Sequence, residues 1–137
     1  MSEKIFIDSS AFIALYLSDD DFHQPAKKLL EELKEKQIGL VTSNFVLDET
    51  YTFLRAKINK KTAIGFAEFL AENTDIIKII RITVGDEKKA FVYFRTLNGR
   101  GVSFTDCSSF ALMKRLGLKT VFTFDKDFGK AGFKIIP

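Results

Sequence analysis

Lys4-Ile5-Phe6-Ile7-Asp8-Ser9-Ser10-Ala11-Phe12 sets a short apolar run against a carboxylate and two hydroxyls, then turns apolar again. Lys4–Ile7 reads as a short buried strand. Ala11-Phe12-Ile13-Ala14-Leu15-Tyr16-Leu17 is apolar enough for a buried helix. Asp8 therefore falls at a strand-to-helix junction, where a side chain leaves the core and faces a crevice. One carboxylate in such a place is weak evidence, and its meaning depends on what the rest of the chain brings to the same edge.

Outward from this junction, strands and helices alternate. Pro25 suits the first turn of a helix that runs to Lys36 with leucines 29, 30 and 33 on a narrow buried face. Ile38–Thr42 is a short strand, and Asn44 is placed to cap a helix through about Ile58. Lys60 or Lys61 to Asn73 reads as another helix, with Ile64, Ala67 and Leu70-Ala71 on one side. Ile76–Ile82 has β-branched strand content, Asp86–Arg95 looks helical, and Thr96–Ser103 carries Asn98-Gly99 and Gly101 as a loop. Thr105–Leu116 is a helix stopped by Gly117, with strands at Thr120–Thr123 and Lys134–Ile136 after it. This alternation predicts an α/β protein, a three-layer α/β/α sandwich around a mostly parallel sheet of four to five strands. Sites in such sheets form beyond the carboxyl ends of the strands.

The totals agree with one domain over residues 1–137. Hydrophobic residues make up 46%, enough to bury a sizeable core, and fifteen phenylalanines without a tryptophan predict a Phe-filled one. A net charge of +3 permits an anionic partner without demanding one. The lone Cys107 excludes an internal disulfide framework and a Cys-rich zinc site, and a reducing cytoplasm is the simplest compartment. Met1-Ser2-Glu3-Lys4 opens no signal-peptide pattern, and no stretch approaches the roughly 20 apolar residues of a membrane span.

Acids recur where these elements meet. Glu49 lies inside the helix from Asn44, with Val46 and Phe53 as its i−3 and i+4 neighbours, so it borders the apolar face; Asp48 is rotated away. Asp106 opens a helix for which Thr105 is a plausible N-cap, and an aspartate in a first turn complements the helix dipole. Asp125 and Asp127 follow a strand end, where either can be a turn former. Each has an ordinary explanation alone. If the strands that precede Asp8 and Asp125 are parallel and adjacent, several carboxylates share one sheet edge, where they repel at neutral pH unless a hard divalent cation such as Mg²⁺ or Mn²⁺ joins them.

The stretches Ile5-Phe6-Ile7-Asp8-Ser9-Ser10, Thr42-Ser43-Asn44-Phe45-Val46-Leu47-Asp48-Glu49, Ser103–Met113 and Val121–Phe128 resemble, in order and spacing, the four acidic motifs of PIN-domain ribonucleases. The compact length is similar to that of VapC-type toxins. The resemblance implies Asp8, Glu49, Asp106 and Asp125 around one or two Mg²⁺ or Mn²⁺ ions, with Asp127 nearby and either Asp125 or Asp127 as the main fourth acid. It implies Ser10 and Thr123 as hydroxyls beside those acids. The implied reaction is endonucleolytic hydrolysis of RNA leaving a 5′-phosphate. Implied partners are RNA, a second copy of the chain and a small antitoxin lying in the acidic groove, with no membrane.

RNA binding needs positive charge around the pocket. Arg55, Lys57, Lys60 and Lys61 after Glu49, and Arg95 and Arg100 near the glycine loop, are the candidates. His23, distant in sequence from every acidic motif, reads as a helix-start or surface residue, and Cys107 as a packing residue. A haloacid-dehalogenase-like phosphotransferase would want an acid where Ser10 stands, and a receiver-like module would want an acidic pair before the first helix. A PIN-domain RNA-processing nuclease that is not a toxin, and a non-catalytic RNA-binding domain, remain alternatives.

Overall fold

Strand β1 (Lys4–Ile7) buries Ile5, Phe6 and Ile7, and its continuous apolar run suits a strand covered on both faces. In the computed structural model, which describes residues 3–137, β1 is the central strand of five. Met1 and Ser2, part of the chain start considered above, lie outside the described residues. The others are β2 (Gly39–Ser43), β3 (Ile77–Ile80), β4 (Thr120–Phe122) and β5 (Lys134–Ile136), in the order β3-β2-β1-β4-β5. All four pairings are parallel, with Phe6 opposite both Val41 and Val121. The sheet is thus wholly parallel, and helices flank it: α1 (Ser9–Tyr16), α2 (His23–Glu35), α3 (Asn44–Lys57), α4 (Lys60–Glu72), α5 (Val84–Thr96), α6 (Phe104–Leu116) and the short α7 (Asp127–Lys130).

From β1 the chain winds outward through β2 to β3, then crosses back over the sheet to β4 on the other side of β1. The switch point lies between the carboxyl ends of β1 and β4, the position at which parallel sheets open a crevice. Asp8 follows one strand there, and Thr123 follows the other.

The core is built on phenylalanines. Phe6, Phe12, Phe66, Phe110, Phe122 and Phe128 are fully buried. Phe66 receives Phe12 and Tyr51 edge-on at 5.4 Å each, and Phe110 receives Phe128 at 5.0 Å and Tyr93 at 5.4 Å. Burial of each ring is worth roughly 1.5–3 kcal/mol, so packing, not ion pairing, dominates the core. Gly65 lets α1 approach α4, because a Cβ there would collide with the Tyr16 hydroxyl.

Several local expectations shift. The buried stripe of α4 is Ala63, Phe66 and Leu70, whereas Ile64 is 54% exposed and Ala67 and Ala71 face solvent. The aromatic cluster around Phe66 sets this rotation. Phe53 is likewise exposed, so the buried face of α3 runs through Val46, Leu47, Thr50 and Leu54. Ser43, not Asn44, caps α3 by accepting the Val46 N–H at 3.1 Å. Asn44 instead accepts the Ile82 N–H at 2.8 Å, one reason β3 ends at Ile80 and does not reach Ile82. Ser103, not Thr105, caps α6, which starts one residue earlier than expected. His23 begins α2, and its Nδ1 lies 2.8 Å from the Ala14 carbonyl. No described helix is long and apolar enough to cross a membrane.

Candidate metal centre

Asp8 occupies the N-cap position of α1, but its side chain caps nothing. Its backbone N–H is held by the Phe122 carbonyl at 3.2 Å, so the β1–β4 pairing aims the carboxylate into the switch-point crevice. Oδ2 accepts the Thr123 hydroxyl at 3.0 Å and faces Ser10 Oγ at 3.3 Å. Oδ1 is buried with no partner, the one such side-chain atom among the described residues. A buried carboxylate oxygen left unpaired is costly, and this one points to a missing ligand.

Thr123 and Ser10 tie the first motif to the fourth. Thr123 Oγ1 lies 3.0 Å from Ser10 Oγ and accepts the Asp125 N–H at 3.0 Å, while Ser10 Oγ accepts the Phe124 N–H at 2.9 Å. Asp125 Oδ1 in turn accepts the Asp127 N–H at 2.9 Å. Two strand ends are thereby stitched into a single polar floor, and the hydroxyls orient Asp8 and the loop bearing Asp125.

Glu49 comes from the second turn of α3 and is half-buried. It reaches across to α1, where Ser9 Oγ donates to Oε1 at 2.5 Å. Asp106 is the third residue of α6 and takes part in a capping box. Its N–H goes to Ser103 Oγ at 3.0 Å, and its Oδ2 accepts the Ser103 N–H at 3.3 Å. The helix-start role expected of an acid here is therefore real, and it coexists with a second role. Asp8, Glu49 and Asp106 bring one carboxylate oxygen each within 4.8 Å of one another, and Asp106, Asp125 and Asp127 do the same. Asp106 belongs to both groups.

Burial pushes the Asp8 carboxyl up to about 6, with the charges of Glu49 and Asp125 adding to it, against the pull of the Ser9 amide and the Thr123 hydroxyl. Burial likewise pushes Asp106 up to about 8, reinforced by Asp8 and Asp125. Neither carboxylate makes an ion pair among the described residues. A hard divalent ion fits them: the donor set is all oxygen, one oxygen is orphaned, and the span suits ligands at about 2.0–2.1 Å after small side-chain shifts. Cys107 is no rival nucleophile, since it is fully buried and burial pushes its thiol up to about 11.

The basic candidates lie on α3, α4, α5 and the glycine loop. Arg55 and Lys57 lie on the last turn of α3, about 9–12 Å along the axis from Glu49. Lys60 and Lys61 begin α4. Arg95 rests over the Phe91 ring at 5.7 Å, and Arg100 is on the loop whose Gly101 packs near Asp127. None of these six pairs with an acid among the described residues. Two side chains escaped the sequence reading. Ser9 holds Glu49 across forty residues of sequence, a pairing with no local signal. Lys130 pairs with Asp127 at 2.9 Å, and its three-residue spacing was the available signal.

Comparison with known proteins gives the same outline. The PIN domain family matches residues 5–134. The 23S rRNA-specific endonuclease VapC20 of Mycobacterium tuberculosis is 33% identical over 129 residues, covering 94% of this chain and 95% of its own. The crystal structure of that organism's VapC20, described as a Sarcin-Ricin loop cleaving toxin, superposes with a TM-score of 0.85 at 30% identity, over 97% of this chain and 99% of its own. VapBC2 from Rickettsia felis, bound to a promoter DNA fragment, shares the fold alone: TM-score 0.69 at 12% identity, over 96% of each chain.

Proposed function

The chain belongs to the PIN-domain family, and from that premise we propose that residues 1–137 form a single catalytic domain, a Mg²⁺- or Mn²⁺-dependent endoribonuclease acting as the toxin of a toxin–antitoxin pair. The observation that carries this reading is the convergence of Asp8, Glu49 and Asp106, together with the buried and unpartnered Asp8 Oδ1. Asp8, Glu49, Asp106 and Asp125 would hold one or two ions between them, with Asp127 beside them. A bound ion supplies activation of the attacking water and neutralisation of charge at the phosphodiester. The chain's own residues do the positioning. Thr123 and Ser10 fix Asp8, Ser9 fixes Glu49, and the Ser103 box fixes Asp106. Arg100, on the glycine loop beside Gly101, and Arg55, Lys57 and Arg95 are the phosphate contacts of this reading.

Its mycobacterial relative is a 23S rRNA-specific endonuclease, so ribosomal RNA is the first substrate to test. A small antitoxin covering the acidic groove, a homodimer and a cytoplasmic setting complete the proposal. The experiment incubates the full chain with 23S rRNA and Mn²⁺ or Mg²⁺, then repeats it with EDTA and with Asp8→Asn. Cleavage to 5′-phosphate ends that both changes abolish supports the enzyme, and cleavage that survives either one refutes it. Growth arrest on expression, absent for Asp8→Asn, separates a toxin from a processing nuclease.

A further inference from the structure

The two overlapping acid groups are not equivalent. Asp8, Glu49 and Asp106 make no ion pair among the described residues, and Asp8 Oδ1 is buried and unpartnered. Asp106, Asp125 and Asp127 have one: Lys130 Nζ lies 2.9 Å from Asp127 Oδ1. The glycine loop closes on that pair. A Cβ at Gly101 would lie 3.7 Å from Asp127 Oδ2, and one at Gly99 would lie 3.3 Å from Lys130 Nζ. Asp127 is 14% exposed, so its pairing is shielded from solvent on one side, whereas Lys130 is 53% exposed and can swing outward. We propose that Lys130 is a built-in cation that occupies the Asp127 side of the cluster, so that the protein takes one tightly bound divalent ion at Asp8, Glu49 and Asp106 and a second only when Lys130 leaves.

The physics is a competition for one carboxylate. A lysine ammonium about 3 Å from Asp127 cancels much of the field that would draw a second ion to Asp106, Asp125 and Asp127. Its long flexible stem lets it release Asp127 and meet an arriving phosphate at little cost. The inference rests on the metal-dependent reading above, and the test separates the two.

Binding of Mn²⁺ to the full chain without RNA is measured by titration calorimetry and by the EPR signal of free Mn²⁺. Wild type is expected to bind one ion tightly and a second at least about tenfold more weakly. Lys130→Met should tighten the second site by about tenfold, and Lys130→Arg should keep the wild-type pattern. Asp127→Asn should leave the first ion within about twofold of wild type. Thermal unfolding in EDTA checks that each variant is folded. A Lys130→Met isotherm that superimposes on wild type overturns the proposal, as do two equal sites in wild type or loss of the first ion in Asp127→Asn. Wild type that binds no Mn²⁺ overturns the metal reading and this inference with it.

Discussion

Asp86 and Asp106 hold the same local position in two helices packed against each other. Each is the third residue of its helix, each closes a capping box with the hydroxyl residue before the helix, and each is almost fully buried, at 3% and 4% exposure. Their surroundings differ. Arg115 grips Asp86 with Nε and Nη2 at 2.9 Å each, and although burial opposes it, this pairing holds the carboxyl below its ordinary value. Asp106 makes no ion pair among the described residues and lies among four other acids, and burial together with their charge pushes it up to about 8. The contrast teaches that a capping acid's local job does not report its function. What distinguishes them is the charge that the tertiary fold sets beside each.

The largest expected difference is in catalysis. Asp106→Asn should lower RNA cleavage by at least about 100-fold with the fold intact. Asp86→Asn should leave cleavage per folded molecule unchanged and cost about 1–3 kcal/mol, read as a lower urea midpoint. The partner Arg115 is 41% exposed, which keeps that cost well below that of a fully buried pair. Equal loss of activity in both variants would break the comparison.

Next is the pH dependence of the metal-free protein. Asp8 and Asp106 bind protons in the folded state, up to about pH 6 and about pH 8, that the unfolded chain has released by about its ordinary 3.8. Their contribution to stability is therefore greatest in acid and is lost as pH rises through those values. Asp86 has the opposite sign: its contribution is present above 3.8 and disappears as acid protonates it. Thermal melts in EDTA should show Asp8→Asn and Asp106→Asn stabilised near pH 8, by about 3–5 °C for each kcal/mol of repulsion relieved. Added Mn²⁺ should flatten the wild-type curve. Destabilisation of both variants at pH 8 would mean that the acids are not in conflict.

The smallest effect sharpens the comparison. Thr83→Ala and Ser103→Ala each remove one cap and should each cost about 1 kcal/mol in urea unfolding. Only Ser103→Ala should also change Mn²⁺ affinity, because only Asp106 faces the cluster.

Much of this was legible in the chain because it depends on neighbours in sequence. An apolar run ended by Asp8, a second ended by Thr123-Phe124-Asp125, and helix starts near Asn44 and Thr105 follow from strand burial and helix capping, which act over a few residues, although Ser43 and Ser103 are the residues that cap. Those patterns placed the four acidic motifs on one edge of a parallel sheet. Element boundaries and helix faces were less secure. Ile64 and Phe53 turned outward because the phenylalanine cluster around Phe66 decides which stripe is buried, and that cluster joins α1, α3 and α4. The Ser9–Glu49 bond spans forty residues, and the Thr123–Asp8 bond spans 115. What the sequence by itself determined was which residues are acids at element ends. Only the tertiary structure decided that Asp86 meets Arg115 while Asp106 meets Asp8, because charge acts through space: the packing of α5 on α6 sets the first distance, and the arrangement of α6 against the end of β1 sets the second.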